Sequence, residues 1–217
     1  MVIDVAGERV VLLADRAVSW PAGGALLVAD LHWGKSSTFR AFGVPVAFDE
    51  LAADLGRLSA VIRSTHARCV IALGDLVHAR EGLTPDVVEA VTAWRRSCPV
   101  PFVLVRGNHD RHVPDLPAAW GIEDVPERLD DGPFAFVHDP AHAPPGRYTW
   151  AGHVHPAVRI GHGPGSVRVP AWHIGPRVGV VPAFSSFAGG VVMRRAVGDR
   201  VFGAVPGGVI EVPAKVR

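Results

Sequence analysis

Apolar residues recur along this chain in two rhythms. Over 49–65, Leu51, Leu55, Leu58 and Ile62 fall at three- and four-residue steps, the spacing of one helical stripe turned toward a core. Asp49 stands where an N-cap is wanted. A second helix is predicted over 84–97. Thr84 and Pro85 form its cap and first turn, Val87, Val88, Val91 and Trp94 its inner face, and Arg95 and Arg96 suit the negative end of its dipole. The other rhythm is short and unbroken. The runs 25–29, 70–73, 102–105 and 134–137 are too brief and too uniformly apolar for surface helices, so they read as strands buried on both faces. Beyond Gly146 the chain turns β-rich, through 167–174, 178–181, 191–195 and 201–204, with Gly and Pro between. The Pro/Gly-rich stretches 139–146 and 161–165 read as loop excursions, and no linker or second core is evident, which predicts one domain.

Polar residues cluster where these runs stop. The first leads into Asp30-Leu31-His32, the second into Gly74-Asp75, and the third into Gly107-Asn108-His109-Asp110. The fourth leads into His138, and 148–151 leads into Gly152-His153-Val154-His155. In layered α/β proteins the strand ends share one sheet edge, where sites are commonly built. On an extended strand end, Asp30 and His32 would point to one side and could grip one ion together. His153 and His155 have the same spacing but can serve different ions. Asp75 offers a carboxylate able to bridge two cations, Asn108 an amide oxygen and His138 another imidazole. Each element alone is weak, but five in succession, each after an apolar run, are specific.

Composition sharpens this picture. The chain has 217 residues, 11 of them His and only 2 Cys, so imidazole and carboxylate sites are favoured over thiolate sites or a disulfide scaffold. Cys69 and Cys98 are expected to be reduced. The donor set suits manganese, iron or zinc and offers too few oxygens for calcium. With 22 Lys plus Arg against 21 Asp plus Glu, the net charge of +1 excludes a globally basic nucleic-acid coat, though not a local basic patch. The N-terminus lacks a signal-peptide pattern and no apolar stretch is long enough to cross a bilayer, so a cytoplasmic protein without membrane contact is expected.

The blocks Asp30-x-His32, Gly74-Asp75, Gly107-Asn108-His109-Asp110, His138 and Gly152-His153-x-His155 resemble, in order, those of the calcineurin-like metallophosphoesterases. The resemblance implies a four-layer α/β/β/α sandwich with two divalent metal ions at the sheet edge, manganese foremost and iron or zinc as alternatives. One ion would be held by Asp30, His32, Asp75 and His155, the other by Asp75, Asn108, His138 and His153. His109 matches the catalytic histidine beside the leaving group, and Asp110 the partner that would orient and charge it. The segments Leu31-His32-Trp33-Gly34-Lys35, Thr38-Phe39-Arg40, Gly43-Val44-Pro45-Val46, Leu76-Val77-His78-Ala79-Arg80 and Pro182-Ala183-Phe184-Ser185-Ser186-Phe187 are similar to a narrower group, the bacterial ligase-associated DNA damage response endonucleases. That similarity implies action on DNA beside an ATP-dependent DNA ligase, a helicase and an exonuclease.

In such a mechanism paired cations make hydroxide available near neutral pH and clamp the phosphate, while His109 serves the leaving oxygen. Lys35, Arg40, Arg80, Arg111 and His112 follow the metal blocks and are expected at the rim, where cations position a phosphate backbone without reading bases. His78, three residues past Asp75, is expected beside the ligands or facing substrate. His66, His142, His162 and His173 are assigned structural roles, and Trp172 and Phe184 to the core. Two other readings stand beside the nuclease: a phosphoesterase of nucleotides or cyclic nucleotides, and a binding scaffold that has lost catalysis. The second is disfavoured because His109 and all seven candidate ligands are present.

Overall fold

The four unbroken runs before residue 140 all form strands, and every residue in them is buried, as their uniform hydrophobicity requires. The computed structural model describes residues 1–46, 50–113, 115–161 and 163–214; the expected cap Asp49 and His162 lie outside these. Strands β1 (Val2–Val5), β2 (Glu8–Leu13), β3 (Ala17–Trp20) and β4 (Ala25–Val28) form an antiparallel meander. The sheet continues in chain order and in parallel through β5 (Cys69–Ala72), β6 (Phe102–Val105) and β7 (Ile122–Val125). The apolar runs leave four of these strands unmarked, β1 to β3 and β7. In β1 and β2 the alternating burial of Ile3, Val5, Val10 and Leu12 is the period-two signal that marks them.

Helices α1 (Lys35–Ala41), α2 (Glu50–Thr65) and α3 (Pro85–Ser97) lie in the crossovers, and Thr84 caps α3 by accepting a hydrogen bond from Val87 N at 3.4 Å. Leu51, Leu55, Leu58 and Ile62 of α2 join Val87, Val91 and Trp94 of α3 over one face of the first sheet, against Leu26, Val28, Val70 and Leu104. The alternate residues Leu27, Ile71, Leu73 and Val105 point the other way and pack on a second sheet.

That sheet contains β8 (Arg128–Asp131), β9 (Phe134–Val137), β10 (Tyr148–Ala151), β11 (Pro156–Ile160), β12 (Val167–Ile174), β13 (Val178–Val180) and β14 (Val191–Val192), in the order β14-β11-β12-β13-β10-β9-β8. A hairpin of β15 (Arg200–Val205) and β16 (Gly208–Val212) adds to β12. Strands β9, β10 and β13 run parallel. Phe134, Phe136, Trp150, Trp172 and Phe202 fill the space between the sheets, and Trp20 meets Phe134 edge-on at 5.0 Å. Trp172 and Phe184 are core residues, both 0% exposed.

The α/β sandwich is present, with unequal outer layers. All α-helices among the described residues precede Cys98, and the outer side of the second sheet carries a small cluster of Val158, Ala171 and Val201 instead. The chain beyond Ser97 offers no apolar stripe of helical period from which to build a second helical layer. Both cysteines are free, and no helix among the described residues is long and apolar enough to cross a membrane.

Trp120, 1% exposed, stands edge-on to Trp33 at 5.5 Å under α3. Trp120→Ala should cost about 3–5 kcal/mol, the usual toll of emptying a large aromatic site. Urea denaturation measures it, and a loss below about 1 kcal/mol would contradict this packing.

Candidate metal centre

Because β4, β5 and β6 are parallel, as are β9 and β10, their carboxyl ends bring the motif residues of both sheets together. The two sheets also meet at an isolated bridge between Ala29 and Ala183, where Phe184 N donates to Ala29 O at 2.7 Å. The expected extended strand end does not occur. Asp30, His32, Asp75, His153 and His155 all have positive φ, at 53°, 48°, 50°, 69° and 50°. Left-handed kinks rather than pleat alternation therefore aim these side chains, at a cost on the order of 1 kcal/mol for each non-glycine residue. Backbone bonds hold the kinks: Asp30 N donates to Gly74 O at 3.1 Å and His32 N to Asp75 O at 2.9 Å. Two glycines are forced by close approach. A Cβ at Gly74, itself at φ 78°, would collide with His138 Nδ1, and one at Gly107 with Asp75 Oδ1.

Three groups of donors result: one joins His32 to His78 and His109, and the other two coincide with the expected ion sites. Asp30, His32 and His155 present ligand atoms within 4.8 Å of one another, as do Asp75, His138 and His153. His155 Nε2 lies 3.4 Å from Asp30 Oδ1 and 3.4 Å from His32 Nε2. In the Asp75 group His138 Nε2 is 2.9 Å from Asn108 Oδ1, 3.1 Å from His153 Nδ1 and 3.4 Å from Asp75 Oδ1. Asp75 lies between these two groups, with Oδ2 4.0 Å from His32 Nε2.

The tautomers make this a fit for cations. His138 Nδ1 is 2.9 Å from the carbonyl of Leu73, so it must carry the proton and donate. In the neutral ring Nε2 is then a bare lone pair, facing a carboxylate oxygen, an amide and another imidazole. Such a convergence of acceptors is repulsive until a positive ion sits among them. Burial pushes the His32 imidazole far below its ordinary range, with Lys35, His155, His78 and His109 adding to the effect. Burial likewise takes His78 down to about 4, helped by Lys35 and His109. Both rings are therefore neutral at pH 7. Their Nδ1 atoms lie 3.2 Å apart, so a proton on His32 Nδ1 donated to His78 would leave His32 Nε2 free for the centre. Burial also raises Asp75, and the nearby His138 draws it back. For His155, burial lowers the basicity, but the hydrogen bond and charge of Asp30 outweigh it and hold the ring above its usual value.

His109 and Asp110 divide differently from the expectation. His109 Nδ1 pairs with the carbonyl of His78 at 2.6 Å, and its backbone N donates to Asp75 Oδ1 at 2.9 Å. The Asp110 carboxylate, 0% exposed, instead accepts from Val77 N at 3.1 Å and Gly107 N at 2.9 Å. It ties the second and third motif loops together and does not orient the imidazole, a correction to its expected role. Burial holds it above the ordinary carboxylate range despite those two bonds.

The expected rim residues separate. Arg80 and His112 line a groove of 590 Å³ together with His78 and His109. Arg111 lines a cleft of 930 Å³ on the other flank, with Asn108, His138, His153 and Arg128. His142 also lines this cleft and is exposed there. His173 pairs with Asp199 at 2.6 Å, remote from the centre. Lys35 is half-buried, its charge near Asp30 and Asp75 and its Nζ 5.6 Å from the Phe187 ring. Arg40 turns back on its own helix, 3.4 Å from the Ser36 hydroxyl and 3.2 Å from that of Ser37. The supporting residues Asp54 and Arg57 were missed. Arg57 donates to Asp54 Oδ1 at 2.8 Å, and Ser186 N donates to Asp54 Oδ2 at 2.9 Å, which clamps α2 to the segment that bridges to Ala29. No local motif signals them, because the Phe184 carbonyl that Arg57 also bonds and the Ser186 amide that bonds Asp54 lie 127 and 132 residues away in sequence.

A family model described as calcineurin-like phosphoesterase matches residues 25–177. Among curated proteins none matches the chain. Among solved structures, a nuclease MPE from Pseudomonas putida is 35% identical, over 98% of this chain and 99% of that one, with a TM-score of 0.85. The phosphoesterase YfcE from E. coli is 15% identical over 87% of this chain and 97% of that one, at a TM-score of 0.40.

Two substitutions test these assignments. Gly107→Ala should lower the metal content of the folded protein, measured by plasma mass spectrometry beside circular dichroism, because its Cβ displaces Asp75; undiminished metal would contradict the packing. Asp110→Asn should destabilise the fold by about 1–3 kcal/mol, since the amide sets a donor against a backbone N–H. It should leave the alkaline limb of the pH–rate profile in place, whereas a carboxylate charging His109 would move that limb.

Proposed function

The chain belongs to the calcineurin-like phosphoesterases and is a metal-dependent phosphoesterase; on that footing, we propose that its substrate is DNA, cut at internal phosphodiesters in a repair setting. One observation carries the nuclease reading. The likeness to the Pseudomonas putida nuclease runs over 98% of the chain, well beyond the metal blocks that a generic phosphoesterase would share.

In this reading Asp30, His32, Asp75 and His155 hold one divalent cation, and Asp75, Asn108, His138 and His153 the other, with manganese preferred for an imidazole, carboxylate and amide set. Bound there, the ions supply the charge that makes a water nucleophilic near neutral pH and that offsets the phosphate oxygens. The chain does the rest. The Leu73 carbonyl fixes the His138 tautomer, and the His109 amide fixes one oxygen of Asp75. The His78 carbonyl accepts a hydrogen bond from His109 Nδ1–H, which leaves Nε2, 3.9 Å from Asp75 Oδ2, to carry a proton to the departing oxygen. Arg111 and Arg128 line the cleft on the Asn108 flank, where guanidinium groups would steady the phosphate backbone. A ligase, helicase and exonuclease remain the proposed functional partners, which the gene neighbourhood would test.

Plasmid nicking with manganese tests the proposal. Wild type should nick, a chelator should stop it, and Asp75→Asn should lose more than about 100-fold, beyond the usual effect of altering a mere supporting residue. Equal nicking by both proteins would remove the claim.

A further inference from the structure

Two flanks of the centre differ in chemistry. The cleft beside Asn108 and His153 carries Arg111, Arg128, Glu127, Asp139 and His142, a charged lining. The 590 Å³ groove beside His109 is walled by Phe39, Phe42, Val44 and the rings of His78, His109 and His112, with Arg80 as the cation and Glu81 as the acid. Three of its rings form a ladder leading away from the centre. His109 and His78 are stacked with centroids 4.8 Å apart and planes 24° apart, and His78 and Phe39 are stacked at 6.1 Å and 18°. Phe42, 70% exposed, and Val44, 45% exposed, extend the apolar wall to the surface. Single exposed apolar residues are ordinary, but here two join the groove that holds His109.

We infer that this groove is a nucleobase subsite, which seats the base of the nucleotide on the leaving side of the scissile phosphate against Phe42. The inference rests on the nuclease reading, in which His109 serves the departing oxygen, and it goes further by assigning the adjoining groove an occupant. A base is a flat π surface, matched to aromatic walls, and such stacking tolerates any of the four bases. The phosphates attached to it bear negative charge, which Arg80 complements. A peptide or lipid would match the apolar wall equally but would not attach to a phosphodiester lying on the metal ligands. The groove opens from that very point.

The test uses single-stranded oligonucleotides carrying one abasic residue, cut by the manganese-loaded wild type, Phe42→Ala and Phe42→Trp, with metal content checked to be equal. Phe42 is exposed, so these changes spare the core and the ligands. Stacking on one aromatic residue corresponds to a factor of about 5 to 150 in affinity. Wild type should therefore cut about fivefold or more slowly, at subsaturating substrate, where the leaving nucleotide is abasic than at flanking positions. Phe42→Ala should lose that discrimination, and Phe42→Trp should keep it. Equal cutting by wild type at abasic and normal positions, or undiminished discrimination by Phe42→Ala, overturns the subsite while leaving the nuclease reading intact. Hydrolysis of a simple model diester without any cutting of DNA would overturn the nuclease reading and the subsite with it.

Discussion

Acceptor atoms crowd around the carboxylate of Asp75, and the chain must hold them together against their mutual repulsion. Asp30 and Asp75 are 0% and 3% exposed, so solvent cannot relieve them. Two kinds of support make the arrangement tenable. Backbone amides donate into it, from His153 N to Asp30 and from His109 N to Asp75. Carbonyls behind the ligands fix proton positions, as Leu73 does for His138. Divalent cations complete the balance, so metal binding and the integrity of this edge are energetically linked. The parallel strands, the left-handed kinks and the glycines without Cβ atoms all bring one set of lone pairs within reach of one another.

The net charge of +1 hides this local order. Two bound cations would offset Asp30 and Asp75, and Arg111, Arg128 and Arg80 stand on the flanks, which leaves the mouth attractive to a polyanion although the whole protein is nearly neutral. In the proposed nuclease the two flanks would serve different parts of recognition. Guanidinium groups on one side suit a backbone, and rings on the other suit what the backbone carries.

Much of this was legible from residue order. Leu51, Leu55, Leu58 and Ile62 marked α2 because a helix facing a sheet must repeat its apolar residues, and the run 102–105 marked β6 because both of its faces are covered. The ligand types were readable because metal chemistry restricts them. What stayed hidden was long-range or conformational. Asp110 sits beside His109 in sequence, yet its carboxylate reaches Val77, 33 residues away, so adjacency misled. The pleat argument for Asp30 and His32 failed because backbone bonds to the Gly74 loop, invisible to local periodicity, turn both residues left-handed. The clamp of Asp54 and Arg57 on the 184–186 segment depends on the folded path of more than a hundred residues.

The left-handed kinks at five candidate ligands have an evolutionary consequence. At each of them glycine would fit the backbone better than Asp or His, by on the order of 1 kcal/mol. Selection for stability alone would therefore erode this edge toward glycine, one position at a time. A lineage released from its chemistry should betray the release there first.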